Sequence, residues 1–157
     1  MTNIYDPSKN AVIYKTTDTY GVLHCMCRGF PLYYKADVWP SAEALYQALK
    51  FPHGHVAIDK IAMAHNAFVA KQIAYNYPEA HTKRPDIMLD VLILKLKQHY
   101  QRLMPLLTSI YENGMHVVEY SSKGDRYWGC SYNIHGMLEG QNMLGCLWRD
   151  AYDTVKQ

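Results

Sequence analysis

The sequence predicts an α+β fold, mostly helical with a small β-sheet, and three observations carry that expectation. Several stretches place apolar residues three and four apart, the spacing of one helix face. Ala42, Leu45, Tyr46 and Leu49 form one such stripe, and Leu144, Leu147, Trp148, Ala151, Tyr152 and Val155 another. Shorter stretches alternate apolar and polar side chains between glycine and proline breaks, as strands do. The chain has 157 residues, 49% of them apolar, enough for one buried core, so 1–157 is expected to be a single domain.

In chain order, residues 21–27 (GVLHCMC) and 30–39 (FPLYYKADVW) read as strands joined by a turn at Arg28 and Gly29. Pro40 and the capping Ser41 then open a helix at Ala42. Two further helices are expected over 55–64 and 66–75, the second capped by Asn66. Residues 78–85 form a polar loop, and Pro85 suits the first turn of a long helix to about residue 100, apolar on most sides. Pro105 and Gly114 bracket a short helix, and 115–121 alternates like a strand. Residues 122–141 are expected to be one long loop, after which a last helix covers 142–155. There are no repeats and no low-complexity tracts.

Sixteen basic and fourteen acidic residues give a net charge of +2, which is no electrostatic footing for a protein that coats DNA or RNA. The N-terminal MTNIYDPSKN lacks the apolar core of a signal peptide. The longest apolar run, IMLDVLILKL, is short and interrupted by Asp90 and Lys95, so no membrane is expected. Cys25, Cys27, Cys130 and Cys146 fall into no paired framework and read as reduced thiols, which makes the expected location cytoplasmic. His24 with Cys25 and Cys27 is spaced too tightly for a zinc knuckle, and His53 and His55 belong to a polar loop. No metal and no cofactor is expected.

Two stretches carry candidate chemistry. In the helix from Ala42, the residues Glu43, Gln47 and Lys50 are three and four apart and make a polar column beside the apolar stripe. Glu43 lies in the first turn, where the helix N-terminus favours an ionised carboxylate, the form suited to a base or to a stabiliser of positive charge. Glutamate is favoured in any first turn, so a column that merely faces water is the competing reading. The second stretch is the loop 122–141. It holds Asp125, Tyr127, Trp128 and Asn133 among four glycines; loops of such length are more often functional or disordered than idle, and the aromatics argue against plain disorder. Trp128 offers a flat face for a base, and Gly129 allows close backbone approach. Asn142 begins the last helix, where free N–H groups favour a phosphate, while a simple capped helix is the alternative. A loop aspartate such as Asp125 also commonly caps a turn.

These residues resemble the NADAR (YbiA-like) family. SAEALYQALKF is similar to that family's S-x-E-x-x-Y-Q-A-x-K-F, and Met88, Lys95 and Gln98 match M-x6-K-x-x-Q. Glu119 and Ser121, then Asp125, Trp128 and Gly129, match E-x-S followed by D-x-x-W-G. Gly140, Asn142, Leu144 and Gly145 match G-x-N-x-L-G, so the resemblance runs from about residue 39 to residue 145. It implies a NADAR/YbiA-like fold over 1–157. It also implies an N-glycosidase that cleaves a ribosylamine intermediate of riboflavin synthesis or removes ADP-ribose from modified guanine. Its substrate is then a small nucleotide or ribosylamine, or ADP-ribosylated nucleic acid. Glu43 and Asp125 are the implied catalytic carboxylates. Trp39, Gln47, Lys50, Lys95, Trp128, Gly129, Asn142 and Gly145 are the implied substrate contacts. A pure binding module for ADP-ribose or NAD-derived nucleotides is the alternative. The chain departs from the pattern at His81, where a tryptophan is common, at Tyr152, where an arginine is usual, and around Arg28, Gly29 and Phe30.

Overall fold

The computed structural model describes residues 2–157. Its strands are β1 (Asn3–Tyr5), β2 (Ala11–Ile13), β3 (Leu32–Tyr34), β4 (Asp37–Trp39), β5 (Val117–Glu119), β6 (Ser131–Tyr132) and β7 (Leu138–Gly140). Its helices are α1 (Ala42–Leu49), α2 (Val56–Ala62), α3 (Ala67–Ala74), α4 (Pro85–Gln98), α5 (Tyr100–Glu112) and α6 (Met143–Val155). Short 3₁₀ turns lie at Pro7–Lys9, Gly21–Leu23 and Pro78–His81. The chain divides into two compact units. One holds Cys25–His99, and the other holds the residues up to His24 together with Tyr100–Gln157.

In the unit Cys25–His99, α1 packs against α2, α3 and α4. The helix starts are fixed locally. The Ser41 hydroxyl accepts from the Ala44 N–H at 3.1 Å, and Asn66 accepts from the Val69 N–H at 2.8 Å. His55 caps α2 through its ring, Nδ1 accepting from the Ala57 N–H at 3.0 Å. Residues 30–39 are not one strand but the hairpin β3–β4, with Leu32 opposite Trp39. Lys35 and Ala36 take φ of 48° and 68° in its two-residue turn. Such a turn usually announces itself with glycine or asparagine, and here it does not. The Gln98 side-chain amide lies along β3, accepting from the Tyr33 N–H and donating to the Tyr33 carbonyl, both at 2.8 Å. One side chain thereby occupies an edge that another strand would otherwise pair with.

In the second unit the sheet order is β1–β7–β6, all antiparallel, beside a parallel pair β2–β5. α6 packs on β5. Four expectations change in this part of the chain. The strand expected over 21–27 is replaced by the 3₁₀ turn Gly21–Leu23, where Gly21 lies so close to the Thr16 and Lys15 carbonyls that no Cβ fits. β1 and β2 were not anticipated, because three residues are too few to show a period. Residues 122–141 fold back as β6 and β7 instead of forming one loop. Pro105 lies inside α5 rather than ahead of it, so that helix lacks one backbone donor there. No helix among the described residues is long and apolar enough to cross a membrane.

Candidate functional site

The polar column of α1 does not face water. Glu43 is 7% exposed and Gln47 1%, so both are buried like the apolar stripe beside them. A buried carboxylate needs donors. Gln47 Nε2 donates to Glu43 Oε1 at 3.2 Å, one turn along the helix. The Glu43 backbone N–H, left over at the helix start, donates to the Cys25 carbonyl at 3.1 Å. Gln47 Oε1 and the indole Nε1 of Trp39, itself 6% exposed, are buried without a hydrogen-bond partner among the described residues. Buried polar atoms are nearly always paired, so these two orphans, like the Tyr111 hydroxyl in the other unit, are candidate contacts for a polar group. Glu43 and Gln47 offer acceptors and Trp39 offers a donor, a set that suits hydroxyl groups, which both donate and accept.

At the far end of α1, Lys50 Nζ donates to the Ala80 carbonyl at 2.8 Å and sits 4.4 Å from the Tyr46 ring centre. Burial pushes its ammonium down to about 8, against an opposing pull from Glu43. Burial likewise raises the Tyr46 phenol, whose oxygen accepts from the Arg84 N–H at 3.2 Å. Lys95 is fully buried, its Nζ 4.6 Å from the Phe30 ring centre. Met88 Sδ accepts from Cys25 Sγ at 3.7 Å, behind the carbonyl that receives Glu43. His81 lies against Tyr75, its Nε2 3.1 Å from the Tyr75 carbonyl.

The remaining candidates belong to the other unit. Asp125 is exposed and shapes a turn. Its Oδ1 accepts from the N–H groups of Tyr127 at 2.8 Å and Trp128 at 3.1 Å, while its own N–H donates to Ser121 Oγ at 3.0 Å. The Trp128 ring is half-buried and meets Tyr127 edge-on, with ring centres 5.1 Å apart. Its carbonyl accepts from Leu144 N–H at 3.0 Å, and the Tyr127 carbonyl accepts from Met143 N–H at 2.9 Å. The first two N–H groups of α6 are therefore spent on this turn, which corrects the expectation that they stand free for a phosphate. Asn142 neither caps α6 nor turns outward. Its φ is 51°, and its buried amide donates to the Val117 carbonyl at 2.9 Å and accepts from Glu119 N–H at 3.1 Å. A Cβ on Gly145 would strike the Val117 carbonyl and the Asn142 amide, and one on Gly129 the Glu119 carbonyl. These glycines let backbones meet.

Spacing puts Glu43, Gln47 and Lys50 on one face of the α1 helix and Tyr46 in its apolar stripe, but gives no sign of Lys71 and Tyr75, which with Tyr46 gather around Lys50. Tyr46 lies four residues before Lys50 on the same helix, whereas only the packing of α1 against α3 brings Tyr75 to the lysine.

The fold and the first helix define a small α+β protein with buried polar side chains on α1. The chain belongs to the NADAR family, since the family model described as NADAR domain matches residues 8–154. Among solved structures it is similar to the NMR structure of the E. coli protein YbiA, with a TM-score of 0.71 and 24% identity. That match covers 94% of this chain and 86% of that one, and it establishes a common fold. No curated protein matches the chain.

Proposed function

We propose that this chain is a hydrolase of N-glycosyl compounds. It cleaves the ribose C1′–N bond of a phosphorylated ribosylamine or of an ADP-ribosylated guanine, free or carried by nucleic acid, without a cofactor. The observation that carries the reading is a carboxylate buried at the start of α1, with one oxygen held by Gln47 and orphaned polar atoms on Gln47 and Trp39. Membership of a family associated with N-glycosidase activity supports the reaction class.

Breaking a ribose–nitrogen bond builds positive charge at the anomeric carbon. Glu43 stabilises that charge and takes a proton from the attacking water, whose oxygen bonds to C1′ as the C–N bond breaks and the departing nitrogen takes a proton from solvent water. Gln47 holds Glu43 in place and accepts from a ribose hydroxyl. The family motif, and no geometry, adds Asp125 as a second catalytic carboxylate and Trp128 as a stacking face, both in the other unit.

Glu43→Gln keeps size and removes charge. Turnover is expected to fall by at least ~10²-fold while fold and ligand binding persist. The assay incubates parent and variant with riboflavin intermediates, ADP-ribosylated guanosine and ADP-ribosylated DNA, and follows the released base or sugar by mass spectrometry. Parent-like turnover in Glu43→Gln refutes the mechanism. A parent protein that binds these compounds and releases nothing is instead the binding module.

A further inference from the structure

Lys71, on α3, was assigned no role by sequence, yet it shares a ring with Lys50. Its Nζ lies 5.6 Å from the Tyr75 ring centre, and Lys50 Nζ lies 6.0 Å from the same ring. Among the described residues neither ammonium has a carboxylate at ion-pair distance. Glu79, the nearest acid along the chain to Ala80, is taken by His55 at 3.3 Å. Two like charges around one ring repel, and the arrangement becomes favourable when an anion joins them. The Tyr75 ring is 43% exposed, and the exposed His81 ring packs against it at 4.8 Å.

The position matters as much as the charge. Glu43, Gln47 and Lys50 share one face of α1, and seven residues of helix span ~10 Å. The column therefore runs from buried acceptors outward to a half-buried pair of cations with two aromatic rings.

We propose that Lys50, Lys71, Tyr75 and His81 form a subsite for the phosphate group of a ligand whose sugar reaches the Glu43–Gln47 column, with the Tyr75 ring packing against what the phosphate carries. The proposal rests on the reading of α1 as the sugar site but not on any bond being cleaved there. Phosphate of this kind comes either from a free nucleotide or from a nucleic-acid backbone.

Binding, not turnover, tests it. Calorimetric titrations of the parent, Lys71→Gln, Lys71→Glu and Tyr75→Ala use ribose, ribose 5-phosphate, ADP-ribose and a single-stranded oligonucleotide as probes. Lys71→Gln is expected to weaken ribose 5-phosphate or ADP-ribose by roughly three- to ten-fold, as for one half-buried charge-assisted contact, with ribose unaffected. Lys71→Glu is expected to weaken them further and Tyr75→Ala to weaken ADP-ribose most. A free-nucleotide site shows the effect with ADP-ribose. A backbone site shows it with the oligonucleotide and with a shallower salt dependence in the variants. Unchanged affinity for every phosphorylated probe in both Lys71 variants overturns the subsite even where Glu43→Gln abolishes cleavage. Lys71-dependent binding by a protein that cleaves nothing upholds the subsite and removes the hydrolase instead.

Discussion

Lys50 shows how one residue can couple burial, charge and pH. Its ammonium is desolvated against Tyr46 and held to about 8, well below the usual lysine range. A contact between this ammonium and an anion is thus present at neutral pH and lost as pH rises, with the charged fraction falling from ~90% at pH 7 to ~10% at pH 9. The stability linkage has the opposite sense. Between about 8 and the unfolded value of 10.5 the unfolded chain binds more protons at this site, so Lys50 adds stability as pH rises through that window. Titrating ribose 5-phosphate from pH 7 to pH 9 is expected to show affinity declining in the parent and flat in Lys50→Gln. The parent should also gain stability relative to Lys50→Gln across the same alkaline range. Parallel pH profiles for the two proteins contradict this account of Lys50.

Among the elements, α6 is held close against β5. Gly145 faces the Val117 carbonyl and the Asn142 amide with no room for a methyl group, and Asn142 binds β5 on both sides of its own side chain. Gly145→Ala is therefore expected to cost ~1–3 kcal/mol, the range for overpacking, because the obstruction is backbone that must shift. Urea unfolding measures this, with the exposed Cys146→Ala as a control on the same helix. A parent-like midpoint would mean that α6 moves freely and that Gly145 serves something other than packing. The same motif explains what was legible beforehand. The residues Gly140, Asn142, Leu144 and Gly145 were visible as a group, but a glycine that admits a ligand and one that admits a strand look identical in sequence. α1 was the opposite case. Its cap, its apolar stripe and its polar column all follow from spacing, and the structure adds that Glu43 and Gln47 of the column are buried. The β3–β4 hairpin escaped notice because Lys35 and Ala36 carry no turn signature.

Across the whole chain, what sequence periodicity hid is pairing between distant segments. β2 lies parallel to β5, with Ala11 opposite Val117 and Ile13 opposite Glu119, and β1 pairs with β7. Ala11, Ile13, Val117 and Val118 are fully buried or nearly so. The Ala11 N–H donates to the His116 carbonyl at 2.9 Å, and Tyr120 N–H donates to the Ile13 carbonyl at 2.8 Å. β1 and β2 thus complete two sheets built mainly from the far end of the chain, even though neither three-residue strand could be recognised in the sequence. Removing residues 2–13 takes away both partner strands and leaves β5 and β7 with open edges. Hydrogen exchange followed by mass spectrometry is expected to show protection lost at Val117–Glu119 and Leu138–Gly140. Ile13→Ala is the milder test, expected to cost ~2–5 kcal/mol for a fully buried isoleucine while keeping both strands. If the shortened chain keeps the parent's urea midpoint and its protection at β5, the N-terminal strands are ornamental to that unit, and the pairing that organises it lies within residues 100–157 alone.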